Sequence, residues 1–349
     1  MHTTSHIPSG ASRRLASVAL LVLAFATCTI AGPRASAHAA VSATSYGWPV
    51  KPFDRPHPIR GSFGDPRTVF SGSPSLHTLM TGGGIFQFHF GVDISAPDHT
   101  PVYPVESGTV ASVSKDEIVV DSSDRVFEYW HLDPAVAPGD HVDVDRTVLG
   151  RIHRDCGHVH LTERDGGIAV NPLAPGHLTP YRDTTKPTVD SIAFRDGPTG
   201  GDLMPELLRG RVEIVAAAED TPAMPVRGTW HDLPVTPALV QWQIRRATDH
   251  KVVVPMHTVF DVRHTLPSND DFWRIYARGT HQNMAVFGKH YSYLQPGSYL
   301  FRLTPDGFDT RSLPDAVYEV VVTATDIAGN HGSLVERFSV HNRPGVVGA

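Results

Sequence analysis

Turn-forming residues interrupt this chain too often for long helices. It holds 30 glycines and 29 prolines in 349 residues. Between about Gly47 and Tyr181 they mark breaks at Gly61, Gly64-Asp65-Pro66, Gly82-Gly83-Gly84, Ala96-Pro97-Asp98, Pro138-Gly139-Asp140 and Gly150. Proline removes a backbone donor and glycine admits positive φ, so each break reads as a turn. The runs between them are short and β-prone: Thr109–Val113, Glu117–Val120, Val126–Trp130 and Val142–Ile152. No segment there keeps a helical apolar period for three turns. A polar joint at Arg182–Pro187 leads to a second series, Val189–Phe194, Arg211–Ala218, Ala238–Arg245, Tyr299–Leu303, Val317–Thr325 and Val335–Val340. The expectation is an all-β chain with two domains, 47–182 and 187–342, the second a β-sandwich. Residues 247–297 are less regular and rich in aromatics, and no fixed-period repeat is present.

Charge narrows the function. Thirty Lys and Arg stand against 36 Asp and Glu, for a net −6. The lack of a basic patch argues against a phosphate-tracking nucleic-acid binder. Residues 1–40 read as an export signal: Arg13 and Arg14, an apolar run from Leu15 to Ala31, and small-x-small sites at 35–37 and 37–39. The run is broken by Thr27-Cys28-Thr29 and then Gly-Pro, which disfavours a permanent membrane span. The expected protein is secreted or held in the cell envelope, with no transmembrane span after cleavage. The export route, and lipidation at Cys28, stay open. Loss of the signal leaves one cysteine, Cys156, so no internal disulfide forms.

Histidine is the excess residue, 21 in all against 2 cysteines. That excludes a four-cysteine zinc module and leaves imidazole as the candidate ligand. Side chains at i and i+2 on a strand share a face, so His158 and His160 would stand side by side. His89 and Asp93 lie four apart around Gly91. Two histidines and a carboxylate make a three-ligand zinc shell with an open fourth place. Taken singly, these spacings also arise by chance in a histidine-rich chain, and His131 after Tyr-Trp also reads as a strand end.

Taken together and in order, these segments resemble the lysostaphin-type (LytM-like) zinc metallopeptidases, over residues 47–181. Ser62-Phe63-Gly64-Asp65-Pro66-Arg67 is similar to the opening turn of that family. His89–Pro97 resembles its HxGxD(I/L)xAP signature, Thr100–Val110 its GTPVxAxxxGxV strand pair, and Tyr129–Leu132 its YxHL. Val136–Val142 with Val148–Gly150 resembles the following hairpin. His158–Leu161 resembles the HLHFE strand, and Val170–Leu173 the closing (V/I)(N/D)P. The resemblance implies zinc held by His89, Asp93 and His160, with His131 and His158 off the metal, and His158 as general base. No His-Glu-x-x-His occurs. Four departures stand out: His99 in a place the family usually gives to glycine, a short Arg154–Gly157 loop, Leu161-Thr162-Glu163 in place of Phe-Glu, and an extended loop from Ser71 to Gln87. Cys156 reads as a small apolar residue.

Val322–Asn330 resembles the penultimate strand and turn of bacterial immunoglobulin-like modules. That second domain reads as a spacer, or as a module for a wall or regulatory partner. Its aromatics Phe272, Trp273, Tyr276, Phe287, Tyr291 and Tyr293 read as core before glycan site. The segment carrying them is also able to fold back on the peptidase cleft. Its eight histidines show no ligand-like spacing. The expected activity is hydrolysis of an amide in peptidoglycan peptides, the alternative being a catalytically silent scaffold or regulator.

Overall fold

A computed structural model describes residues 45–69, 85–197, 200–287 and 292–342. The signal reading of residues 1–40 and Cys28 lie outside these residues. Thirteen strands form the first region: β1 Ile59–Gly61, β2 Pro66–Val69, β3 Ile85–Phe88, β4 Val92–Ser95, β5 Pro101–Val102, β6 Gly108–Val113, β7 Glu117–Asp121, β8 Arg125–Trp130, β9 Leu132–Pro134, β10 His141–Val142, β11 Gly150–Ile152, β12 His158–Asp165 and β13 Ile168–Val170. The principal sheet runs β1-β4-β12-β8-β7-β6-β10, with β13 on the far end of β12. Its pairings are antiparallel. The chain is all-β as expected. Among the described residues the α-helix is a single turn, α1 Phe272–Ile275.

Alternation explains the strands that were legible. In β8, Arg125, Phe127 and Tyr129 are buried while Val126, Glu128 and Trp130 are less so. Central strand β12 departs from this, because His158 to Glu163 are all buried. Val159, Leu161 and Glu163 point to one side; His158, His160 and Thr162 point to the other. Glu163 is fully buried and accepts from Tyr46 Oη at 2.6 Å, Arg125 Nη1 at 3.0 Å and the His177 ring at 2.8 Å. A buried carboxylate persists only with such partners.

The second region holds β14 Thr188–Arg195, β15 Asp202–Leu203, β16 Arg211–Glu219, β17 Leu239–Arg246, β18 Val252–Asp261, β19 Met284–Phe287, β20 Ser292–Gln295, β21 Leu300–Arg302, β22 Phe308–Asp309, β23 Val317–Thr325 and β24 His331–Ser339. They form two main antiparallel sheets, β15-β14-β16-β21 and β18-β17-β23-β24, and a β19-β20 hairpin. Ring pairs such as Phe194–Phe338 and Phe260–Phe301 span the space between the two sheets.

The two regions share one apolar core. Phe88 packs on Phe272 and Tyr276, with centroids 5.3 and 5.8 Å apart. Polar ties cross at the same place. Asp65 Oδ1 accepts from Thr236 N, Phe88 N donates to Asn269 Oδ1, and Tyr276 Oη donates to Gly64 O. Phe272 and Tyr276 are therefore core residues. The side chains of Phe287, Tyr291 and Tyr293 lie outside the described residues.

Three local readings change. Val142–Ile152 is not one strand: only its ends pair, and a turn closed by Asp143 N to Thr147 Oγ1 lies between. Within the irregular 247–297 stretch, β18 is a ten-residue strand. It is mostly exposed, which removes the apolar alternation that would betray it. Of the expected 71–87 loop, Ile85–Gln87 belong to β3, paired with β2; residues 71–84 lie outside the described ones. His99 takes φ 64°, the left-handed conformation that a glycine adopts without cost.

Asp183 in the joint and Asp220 and Asp326 in the second region bring carboxylate oxygens within 4.8 Å of one another. Burial, then Asp183 and Asp326, push Asp220 up to about 8. The folded state thus keeps a proton that the unfolded chain, with an ordinary carboxyl, releases near pH 4. Stability is lost as pH rises between these values. Asp220→Asn is expected to raise the melting temperature by several degrees at pH 8, with the gain fading toward pH 4. An equal change at both pH values in thermal denaturation contradicts this.

Candidate metal centre and its pocket

Register assembles the site. β12 lies between β4 and β8, with His160 opposite Asp93 on one side and Trp130 on the other. His158 pairs with Ser95. His89 stands just before β4, and His131 follows Trp130 at the end of β8. All five sequence-derived residues, His89, Asp93, His131, His158 and His160, line one pocket of about 320 Å³. His131 has φ 68°. Such left-handed backbone in a non-glycine residue costs of order 1 kcal/mol or more and collects at functional sites. Its carbonyl is tied by His153 N at 2.8 Å.

Hydrogen bonds fix which ring nitrogens face inward. His89 Nδ1 is 2.8 Å from Ser62 O; a carbonyl only accepts, so Nδ1 carries the proton and Nε2 is a bare acceptor. His158 Nδ1 likewise donates to Cys156 O at 2.8 Å, leaving Nε2 as acceptor. His160 Nε2 is 2.9 Å from Thr162 Oγ1, which turns Nδ1 inward. His89 Nε2, His160 Nδ1 and Asp93 Oδ1 then lie 2.8, 3.1 and 3.2 Å apart. Ligand atoms around a tetrahedral zinc at about 2.0–2.2 Å are separated by about 3.3 Å. The triad needs only a few tenths of an ångström to match. Three converging acceptors with at most one proton among them suit a cation, so the donor set fits zinc.

Electrostatics keep these groups ready. Burial, followed by Arg67, holds His89 down to about 3. Burial, opposed by Asp93 but joined by Arg60 and His131, brings His158 to about 3 as well. Burial also lowers His131. These imidazoles are neutral at pH 7. Burial raises Asp93, but His89 and Arg67 outweigh it and hold the carboxyl well below its usual range. Arg67 Nη2 grips Asp93 Oδ2 at 2.6 Å, which leaves Oδ1 for the triad. Gly61 leaves room for this pair, since a Cβ there would stand 2.4 Å from Asp93 Oδ2.

Several lining residues escaped the sequence argument. Arg67 closes the opening turn, where sequence alone assigns it no role, and Arg60 lies in no motif. Trp230, Gln282 and Asn283 belong to the second region, where no spacing rule links them to the histidines. Cys156 offers its carbonyl to His158 and its thiol is not in the triad.

No family model matches the chain, and no curated protein matches it. Solved structures similar to it include the catalytic domain, as a single-site mutant, of the prophage-encoded M23 protein EnpA from Enterococcus faecalis. That match has 22% identity, covers 35% of this chain and 95% of the other, and has a TM-score of 0.25. The deep-sea M23 metalloprotease pseudoalterin matches at 19% identity, over 40% and 80% of the two chains, TM-score 0.25. Lysostaphin matches at 15% identity, over 69% and 90%, TM-score 0.24.

Gly91 is a direct steric test of the centre. An added Cβ would lie 2.4 Å from Leu161 O and 2.6 Å from His160 Nε2. Gly91→Ala is expected to weaken zinc binding at least about tenfold by displacing the His160 ring. Competitive chelator titration checks it, and unchanged affinity contradicts the assigned packing.

Proposed function

We propose that this chain is an exported zinc endopeptidase that hydrolyses an amide bond in peptidoglycan peptides. The observation that carries the reading is the convergence of His89 Nε2, Asp93 Oδ1 and His160 Nδ1 beside two further neutral imidazoles. The order of the segments, resembling the lysostaphin-type peptidases, supplies the substrate class. Zinc held by those three atoms would polarise the scissile carbonyl and acidify a water.

The chain's own groups do the rest. His158 Nε2, an acceptor by virtue of its bond to Cys156 O, takes a proton from the attacking water and returns it to the leaving amine. Its low proton affinity at rest rises as negative charge develops on the substrate beside it. His131, its ring centroid 4.6 Å away, keeps an N–H to donate to that developing charge. Phe90, Trp130 and Trp230 line the pocket and exclude water, which strengthens both contacts. The second region serves in this reading as part of the cleft wall as well as a module for a wall partner.

Purified protein lacking residues 1–40 is expected to hold about one zinc per chain, and His160→Ala to lose both metal and release of new amines from cell-wall sacculi. Full metal content in that variant overturns the ligand assignment. A zinc-loaded wild type that releases no amines overturns the peptidase reading and favours a silent scaffold.

A further inference from the structure

We propose that Arg60 reads a carboxylate of the substrate, so that the enzyme selects peptides bearing a free acid close to the scissile amide; this rests on the peptidase reading above. Arg60 lies on β1, between residues that pair with Ile94 and Asp93. Its guanidinium sits 4.0 Å over the ring of Trp230, and Nη2 is 3.5 Å from His158 Nε2. Four other buried or half-buried arginines have acids: Arg67 has Asp93, Arg125 has Glu163, Arg245 has Glu319 and Arg302 has Glu213. Arg60 has none. Every Asp and Glu of the chain lies among the described residues, and none of them forms an ion pair with Arg60. Its Nε is buried without a hydrogen-bond partner. Burial brings the guanidinium down to about 10, so it is still a cation at neutral pH. Asp93 and Asp98 favour its charge from a distance but neither pairs with it, and burying a cation without a direct partner costs stability. Here it faces a cleft from which an anion can reach it.

Position supports the same ligand. Arg60 and Trp230 form the wall shared by the metal pocket and an adjoining cavity of about 960 Å³, lined also by Pro97, Met224 and Val226 and by the charged Asp98, Asp155 and Arg227. A peptide passing from one to the other crosses the guanidinium. His158 Nε2 is 3.6 Å from Asp93 Oδ1. Chain residues span about 3.3–3.6 Å each, so the recognised acid lies within about two residues of the scissile carbonyl. A planar fork suits a carboxylate in two-point contact, and the indole face fixes its plane. Trp130 Nε1 and Gln282 Oε1 line the same pocket, buried and without partners. They offer a donor and an acceptor to the amides of that peptide.

The test uses two synthetic peptidoglycan stem peptides, one with free α-carboxylates and one with those groups amidated. Zinc-loaded wild type is expected to show kcat/KM at least about tenfold higher for the free acid, and Arg60→Gln to bring the ratio to about one. Arg60→Lys, which keeps charge but loses the fork, is expected to fall between. Calorimetry with zinc-loaded His158→Ala should show the same preference in Kd, and its loss when Arg60→Gln is added. Equal kcat/KM for both peptides in the wild type overturns the assignment of Arg60 while leaving the peptidase reading intact. If neither peptide is cut, the peptidase reading fails, and the Kd pair alone decides for or against Arg60.

Discussion

The register of β12 against its two neighbours is the constraint on which the site depends. One strand carries His158 and His160 on a single face. Its antiparallel partner β4 sets Asp93 opposite His160, and β8 delivers His131 one residue past the opposite contact. A slip of one residue would turn both imidazoles into the core and bring Val159 and Leu161 to the pocket. The sheet is protected against such a slip from the other side. Glu163, on the core face of the same strand, is held by Tyr46, Arg125 and His177. That network has no equivalent position to move to, so a buried charge on one face fixes the ligands on the other.

The ligands also depend on space left for them. Gly91 lets β12 approach, and Gly61 lets Arg67 reach Asp93. Arg67 then decides which carboxylate oxygen is free. The candidate metal centre is thus built as much by what is absent at two Cα atoms as by the residues that could supply donors.

Much of this was legible in the sequence where one periodicity or one short motif governs. The short β-prone runs at Glu117–Val120 and Val126–Trp130 announced β7 and β8, and the chemistry of the His89–Asp93 and His158–His160 segments pointed to one site, which the fold brings into one pocket. The misses have physical causes. β18 is an edge strand exposed along most of its length and interrupted by Pro255, so its Val-rich sequence lacks the alternation that would mark it. The strand-like composition of Val142–Ile152 hid a turn that a side-chain hydrogen bond closes. Arg60 and Trp230 are 170 positions apart and meet only because the two regions share a core. No local rule predicts a stacking pair at that separation.

That shared core also orders events in time. All five histidine and aspartate groups of the centre are translated by residue 160, whereas Asn269, Phe272 and Tyr276, which clamp Phe88 and Gly64, come more than a hundred residues later. Contacts so distant in sequence carry a larger loop-closure cost than local ones. A growing chain can therefore pair β4 with β12 and gather its donors while the far side of the pocket is still missing. The strands that carry the candidate ligands precede in the chain the residues that complete the far wall of the pocket.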